Sequence, residues 1–341
     1  VTQSLGELTT GARRVALVGL AKNTGKTVAL NALLAELRAQ GRRVGVTSVG
    51  RDGEERDAID FRIAKPRIEL AGESLVATTD LLMRTSGLPH ETLERTGMRT
   101  PLGEVLIARL RGPGIVEVAG PSAAADVRAV ADAMLAYGAE QILIDGAIDR
   151  RAASSPDVSD GLVMSTGAVL DRHIEEVVRR TAEAVELVRL PVADDEGEPL
   201  ELAPRFALTA EGEQLAALLD AHPDARRLRV AGALPDRFLE LLLNAAHRRR
   251  REFAVVVADP TKIFLSKRGP SWFRAQGIDI QTLRAIELKA ITVNPVAPQS
   301  HQLDSARLRA LLAETIRDVP ILDVLHADYA ASTALSGSRA P

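Results

Sequence analysis

The sequence predicts an α/β fold: a mainly parallel, doubly wound sheet with helices on both faces, continued by a further α/β part towards the C-terminus. Three observations carry that prediction. Short apolar, β-rich runs alternate with helical patterns through the first half of the chain. The opening strand–helix–strand segment has the lengths of a βαβ crossover, which places its strands side by side and parallel. After an acidic, proline-containing stretch at 191–205, the same alternation resumes.

The elements follow in order. "RRVALVG" (13–19) is a short buried strand, and "KTVALNALLAELRAQG" (26–41) spaces its apolar residues as a helix that closes on Gly41. "RRVGVTSVG" (42–50) is the second strand. Further strands are read at 74–79, 103–112, 114–120, 140–147 and 161–167. The "RGPG" between 103–112 and 114–120 has hairpin chemistry, so that pair is expected to be antiparallel. A helix over 122–138 starts on Ser122 as N-cap and ends on Gly138. Another helical pattern covers 169–188.

The stretch 191–205 reads as a linker or exposed excursion. Beyond it come a strand at 226–233, a helix through "LLLNAAHRRRR", strands at 253–260 and 285–295, and a helix over "LDSARLRALLAETI". The expected organisation is a nucleotide-binding domain over 1–190 and a C-terminal α/β part over 206–330. That part is either a second domain or a continuation of the first sheet. The small, polar tail 331–341 is expected to fray.

Composition narrows the chemistry. The chain has 341 residues, 46% apolar and 26% charged, with a formal charge of −3. That balance gives no global pull towards nucleic acid or anionic membrane. With no cysteine, thiolate nucleophiles, disulfides and Cys-ligated zinc are excluded. No apolar run approaches the roughly 18–20 residues of a membrane span, and the first residues have no secretory signal pattern. A cytoplasmic protein is the expectation. Nine aromatic residues leave few platforms for stacking on bases, and "HRRRR" (247–251), at a helix end, reads as dipole-complementing and solvated rather than as a nucleic-acid patch.

The strongest motif is "GLAKNTGKT", from Gly19 to Thr27. Phosphates need converging backbone N–H groups, and a helix N-terminus supplies them with a favourable dipole. Gly25 permits close approach, Lys26 brings positive charge, and the Thr27 hydroxyl can ligate Mg²⁺. With Asn23, Thr24 and Val28, these residues form the expected phosphate cradle. Five residues separate Gly19 from Gly25, one more than the standard spacing. The bland alternative is a chance Gly-Lys-Thr at a helix start.

The second feature is "ILIDGAIDRR" (142–151), where a buried strand ends in Asp145. A carboxylate there can hold Mg²⁺ or its water, or simply shape an Asp-Gly turn. The acidic loop after the second strand offers Asp52, Glu54 and Asp57, with Asp52 first because it follows Gly50. Its alternative is a solvated charged loop. Lys65 and Arg67 follow as candidate anion contacts or surface charges. "VVVADPTKIF" places Asp259, Thr261 and Lys262 at a later strand end. "AITVNPVAP" does the same with Asn294, which can read a purine edge or form an Asn-Pro turn.

The long-spaced phosphate loop resembles that of dethiobiotin synthetase and the cobyrinic-acid amide synthases, which implies a P-loop nucleoside triphosphate hydrolase fold. Lys22 resembles that division's signature lysine, one position closer to the Gly-Lys-Thr, which implies a phosphate contact across a homodimer. Its other reading is a solvated loop charge. The glycines that follow the acid in dethiobiotin synthetase are absent after Asp145. Across its length the chain resembles the P-loop reactivase subunit of adenosylcobalamin-dependent lysine 5,6-aminomutase. That resemblance rests on "GLAKNTGKT", "SVGRDGEERDAIDFRIAKPRIEL", "LIDGAIDRRAASSP" with "STGAVL", and "ADPTKIF" with "ITVNP". It implies an Mg²⁺-dependent ATPase acting on a cobalamin-dependent aminomutase. In that reading Lys26, Asp52 and Asp145 are catalytic, and Thr27, Asp52 and Asp145 hold the metal. The rivals are an ATP-dependent small-molecule ligase or kinase and a nucleotide-gated binding module. The absence of an Asn-Lys-x-Asp motif favours adenine over guanine.

Overall fold

The computed structural model describes residues 3–50, 67–147, 151–194, 198–298 and 301–326. It is α/β, and it divides into two compact units. One takes residues 1–181 and 287–341, and the other takes 182–286.

The first unit holds a nine-stranded sheet. Its order is Ile321–Leu322, Glu287–Asn294, Gly161–Gly167, Arg14–Gly19, Gln141–Ala147, Val44–Ser48, Leu75–Thr79, Gly103–Leu110, His90–Thr100. The first seven run parallel and the last two are antiparallel. Strands covered on both faces read as unbroken apolar runs, which is why Arg14–Gly19 and Gly161–Gly167 were legible: every residue of 15–19 and of 161–167 is buried. Leu30, Leu33 and Leu37 share one face of the helix Lys26–Ala39 and join Leu17, Val46 and Leu143 in one core. Each such leucine, fully buried, stabilises the fold by about 2 kcal/mol.

The strand Arg14–Gly19 is central, and the order of the chain reverses around it. The next strand in sequence lies to one side, and Gly161–Gly167 lies directly on the other. Such a switch point opens a crevice at the carboxyl ends of the strands.

Four expectations change. The "RGPG" segment does not close a hairpin: Gly103–Leu110 pairs with His90–Thr100, whereas Gly114–Val116 pairs with Ile68–Leu70 in a separate small sheet. The competing turn at Thr100–Gly103 wins because Thr100 Oγ1 bonds both the Gly103 carbonyl and the Leu102 N–H. The strand that takes the edge, "HETLERTGMRT", was not read at all, since a polar edge strand carries no apolar alternation. The helix expected from Ser122 begins at Ala124 with Ala123 as a cap that makes no side-chain bond, and Asp126 complements its dipole instead.

The third change concerns the domains. Residues 206–330 are not one body, because Glu287–Asn294 returns to the first sheet and pairs in parallel with Gly161–Gly167. Its buried run Ala290–Val293 needs cover on both faces, and the exposed edge of Gly161–Gly167 supplies a partner. The stretch 191–205 is likewise more than a linker: Leu200–Leu202 is a strand paired with Arg227–Val230, and Val192 bridges to Thr282.

The second unit has its own four-stranded parallel sheet, ordered Leu200–Leu202, Arg227–Val230, Phe253–Val257, Ile278–Thr282. Phe238, Leu239 and Leu242 of the helix Asp236–Arg249 are fully buried in its core. The basic run ends that helix. Arg249 bonds Asp220 and, at 3.1 Å, the Ala216 carbonyl, while Arg248 bonds the Asn244 carbonyl. These contacts belong to helix ends, as the sequence reading held.

Candidate functional site

The loop after the central strand is shaped by its glycines. A Cβ on Gly19 would lie 2.4 Å from Thr24 Oγ1 and 3.1 Å from the Ala21 carbonyl, so the loop folds back onto a position that only glycine can hold. Buried Thr24 donates its hydroxyl to that same Ala21 carbonyl at 3.0 Å. Leu20 N–H donates to Ser165 O at 2.9 Å and pins the loop's start to the neighbouring strand. Asn23 and Gly25 both take positive φ, +66° and +86°. Gly25 is the N-cap of the helix Lys26–Ala39 and has no side chain to cap it.

Among the described residues, the N–H groups of Asn23, Thr24, Gly25, Thr27 and Val28 donate to no protein acceptor. A helix N-terminus leaves such donors over by construction, and here a turn of loop adds to them. The result is a run of unpaired N–H groups along the loop, with the positive end of the helix dipole behind it.

Lys26 and Asp145 face each other beside this row. The strand register sets Asp145 next to Leu17 on one side and Ser48 on the other, at the carboxyl ends of adjacent strands. Lys26 Nζ lies 3.0 Å from Asp145 Oδ1, with the two side chains 13% and 16% exposed. A charge pair this withdrawn from water interacts strongly, yet it stays reachable from solvent. Asp145's backbone carbonyl accepts from Val49 N–H at 3.0 Å. Ser48 Oγ then donates to Gly50 O at 2.8 Å and accepts from Gly120 N–H at 3.0 Å, which fixes how the chain leaves the second strand. Sequence reading missed Ser48; its only signal was a small hydroxyl at a strand's end.

Asn294 closes the crevice from the other side. Its Nδ2 donates to the Asn23 carbonyl at 3.0 Å, and its Oδ1 accepts from Val296 N–H at 3.1 Å. A Cβ on Gly25 would come within 3.0 Å of Asn294 Cβ, so the loop glycine and this asparagine are packed face to face. The turn-forming use of Asn294 is thus made, and its remaining donor and lone pair are what a base could engage. His301, also missed, donates from Nε2 to the Ala168 carbonyl, 2.8 Å away. It ties the segment after Asn294 back to the end of Gly161–Gly167.

The structure therefore brings Gly19, Asn23, Thr24, Gly25, Lys26, Thr27, Val28, Asp145 and Asn294 to one edge of the sheet. Lys22 is exposed on the same loop. Asp52, Glu54, Asp57 and Lys65 lie outside the described residues. Arg67 is exposed, and its carbonyl accepts from Asn31 Nδ2 at 2.8 Å. Asp259 belongs to the other unit. It is fully buried and bonds Thr261 through both N–H, at 2.9 Å, and hydroxyl, as the cap of a short 3₁₀ turn.

Comparisons with family models, curated proteins and solved structures return no match for this chain. Among the described residues no three His, Asp or Glu side chains converge as a metal cage, and no helix is long and apolar enough to cross a membrane.

Proposed function

We propose that this chain binds ATP with Mg²⁺ on the loop 19–27 and hydrolyses it. The observation that carries the reading is the Lys26–Asp145 pair, 3.0 Å apart at the mouth of a glycine-shaped row of N–H groups. The residues suit the ligand. Glycine at 19 and 25 leaves room where any Cβ would collide, and the N–H row matches a chain of phosphate oxygens. Mg²⁺ is usually held by one or two protein oxygens and by the phosphates themselves, which is what a Thr27 and Asp145 pair would offer. Bound there, the ion would neutralise charge on the phosphates.

The chain's own part is positional. Lys26, drawn to Asp145 in this state, is placed to turn towards an incoming phosphate and stabilise charge on the transferred group. Asp145 is then released to the metal side. Asn294 holds the loop through Asn23 and presents its spare polar groups towards the base, for which adenine is the proposed identity. Lys22, exposed on the loop, is the residue a second copy of the chain would use for phosphate contact. The output of turnover is proposed on the sequence resemblance: a change in a surface that binds a cobalamin-dependent aminomutase.

Isothermal titration of ATP with Mg²⁺ tests the centre of this reading. Lys26→Ala is expected to weaken binding at least about tenfold, the loss of one charge-assisted contact. Unchanged affinity and unchanged phosphate release in that variant would remove the proposal. Phosphate release that depends on a small carboxylate or amine acceptor would instead make the chain a ligase or kinase.

A further inference from the structure

A second cavity lies at the opposite edge of the first unit's sheet. Its volume is about 680 Å³, within the roughly 300–1,000 Å³ range of small-molecule sites. The walls are the C-terminal half of the helix Lys26–Ala39, the loop into Val44–Ser48, and the pair Ile68–Leu70 and Gly114–Val116. Asn31 bolts the two sides together, donating to Arg67 O at 2.8 Å and accepting from Glu69 N–H at 3.2 Å. Arg38 stands twelve residues beyond Lys26, which is about 18 Å along the helix. The cavity is thus separate from the phosphate-loop edge.

Its charges are unbalanced. Arg38 and Arg42 line it, and among the described residues neither side chain makes an ion pair or hydrogen bond; Arg43 also borders it, but its guanidinium lies beside Gly138, outside the lining. Two carboxylates share the lining. Glu73 is spent on Arg111 at 3.4 Å, which leaves Glu69. Glu140 stands nearby but accepts from the Arg43 backbone N–H at 2.8 Å. Arg42 is half-buried at the cavity wall. Apart from Asn31 and Ser74, the rest of the lining is apolar or glycine. Leu34 and Leu70 are buried in it, and Ile115 stays 42% exposed at the rim.

Uncompensated guanidinium groups above an apolar floor select an anion with an apolar body, because the planar fork bonds carboxylate or phosphate oxygens in pairs. We propose that this cavity binds a small organic anion, its carboxylate or phosphate head on Arg38 and Arg42 and its hydrocarbon part against Leu34 and Ile115. The site does not depend on the nucleotide reading, since it shares no residue with the phosphate loop.

Fluorescence titration with anilinonaphthalene sulfonate, an anion with apolar rings, tests it on the full chain. The expected result is one saturable site, with affinity reduced at least about tenfold in Arg38→Gln/Arg42→Gln. Ala35→Trp, an exposed helix position that projects into the cavity, is expected to abolish binding while the thermal unfolding transition stays in place. Lys26→Ala is expected to bind the probe as the parent does. Displacement by octanoate identifies a carboxylate site, and displacement by hexyl phosphate identifies a phosphate site. Unchanged probe affinity in the double arginine variant, loss of binding in Lys26→Ala, or displacement by neither competitor would overturn the proposal.

Discussion

Two aspartates end buried parallel strands in this protein, and they do different work. Asp145 closes Gln141–Ala147 in the first unit, and Asp259 follows Phe253–Val257 in the second. Asp145 stands after three apolar residues and Asp259 after six, and both face the carboxyl edge of a parallel sheet. Asp259 is fully buried and bonds its own turn through Thr261. Arg284 reaches only to 4.0 Å of it. Asp145 stays 16% exposed and meets Lys26 from a different strand's loop. A strand-end carboxylate becomes a candidate for chemistry when a neighbouring loop delivers a cation and open N–H groups to it. Asp259 caps its own turn through Oδ1 alone; among the described residues its buried Oδ2 makes no hydrogen bond and has only the distant Arg284 guanidinium for company.

The largest effect that tests this contrast is on turnover. Asp145→Asn is expected to lower ATP hydrolysis by about a hundredfold, the usual cost of removing one electrostatic contributor, with the unfolding midpoint nearly unchanged. Steady-state phosphate release and a thermal melt together check it, and equal turnover would make Asp145 no different from Asp259.

A third aspartate sharpens the comparison from the other edge of the sheet. Asp160 accepts from Arg13 N–H, Arg14 N–H and the Arg14 guanidinium, at 3.1, 2.9 and 2.6 Å. Burial pushes its pKa up, but the Arg14 side-chain and backbone bonds outweigh that and hold it below the ordinary 3.8. A depressed folded pKa means the unfolded chain takes up the proton first. The stabilisation is therefore present above the unfolded value and is lost as pH falls through the folded one. Asp160→Ala is expected to cost about 2 kcal/mol near neutral pH and to flatten the loss of stability on acidification. Denaturant titrations at neutral pH and at about pH 3 would show it, and parallel pH curves in the two proteins would contradict it.

Asp259→Ala should read as a lost cap: about 1 kcal/mol of stability, with ATP affinity unchanged. A change in nucleotide affinity would break the division between the two aspartates. The smallest effect belongs to Asn294→Ala, which removes one hydrogen bond to the loop. Affinity for ATP is expected to fall about fivefold, equivalent to about 1 kcal/mol. A fall of several hundredfold would show that Asn294 does far more for the ligand than hold Asn23.

The strands at 14–19, 141–147 and 161–167 were legible because each carries a short buried apolar core, Val15–Val18, Ile142–Ile144 and Leu162–Met164. The phosphate-loop pattern was legible for a related reason: its glycines, lysine and threonine are consecutive, and the strand and helix that hold them are local. His90–Thr100 was not legible, since an edge strand spends only half its residues on the core. The misplaced hairpin at 111–114 failed because two turns competed and the side-chain bonds of Thr100 chose between them.

By itself, then, the sequence determined what depends on near neighbours: the central strands, the helix that starts at Lys26, the glycine-lysine-threonine loop, and the acid that ends its strand. Tertiary structure decided what depends on distant partners. It brought Asn294 against Asn23 across 271 positions, returned Glu287–Asn294 to the first sheet, and set Asp145 beside Lys26 while Asp259 was left to its own turn. It also brought Leu70 and Ile115 from distant strands against Arg38 and Arg42 at the far end of the same helix. The physical reason is common to all four. Apolar periodicity is written along the chain, but which polar group meets which is set by strand order, and strand order is settled only when the whole sheet has been buried.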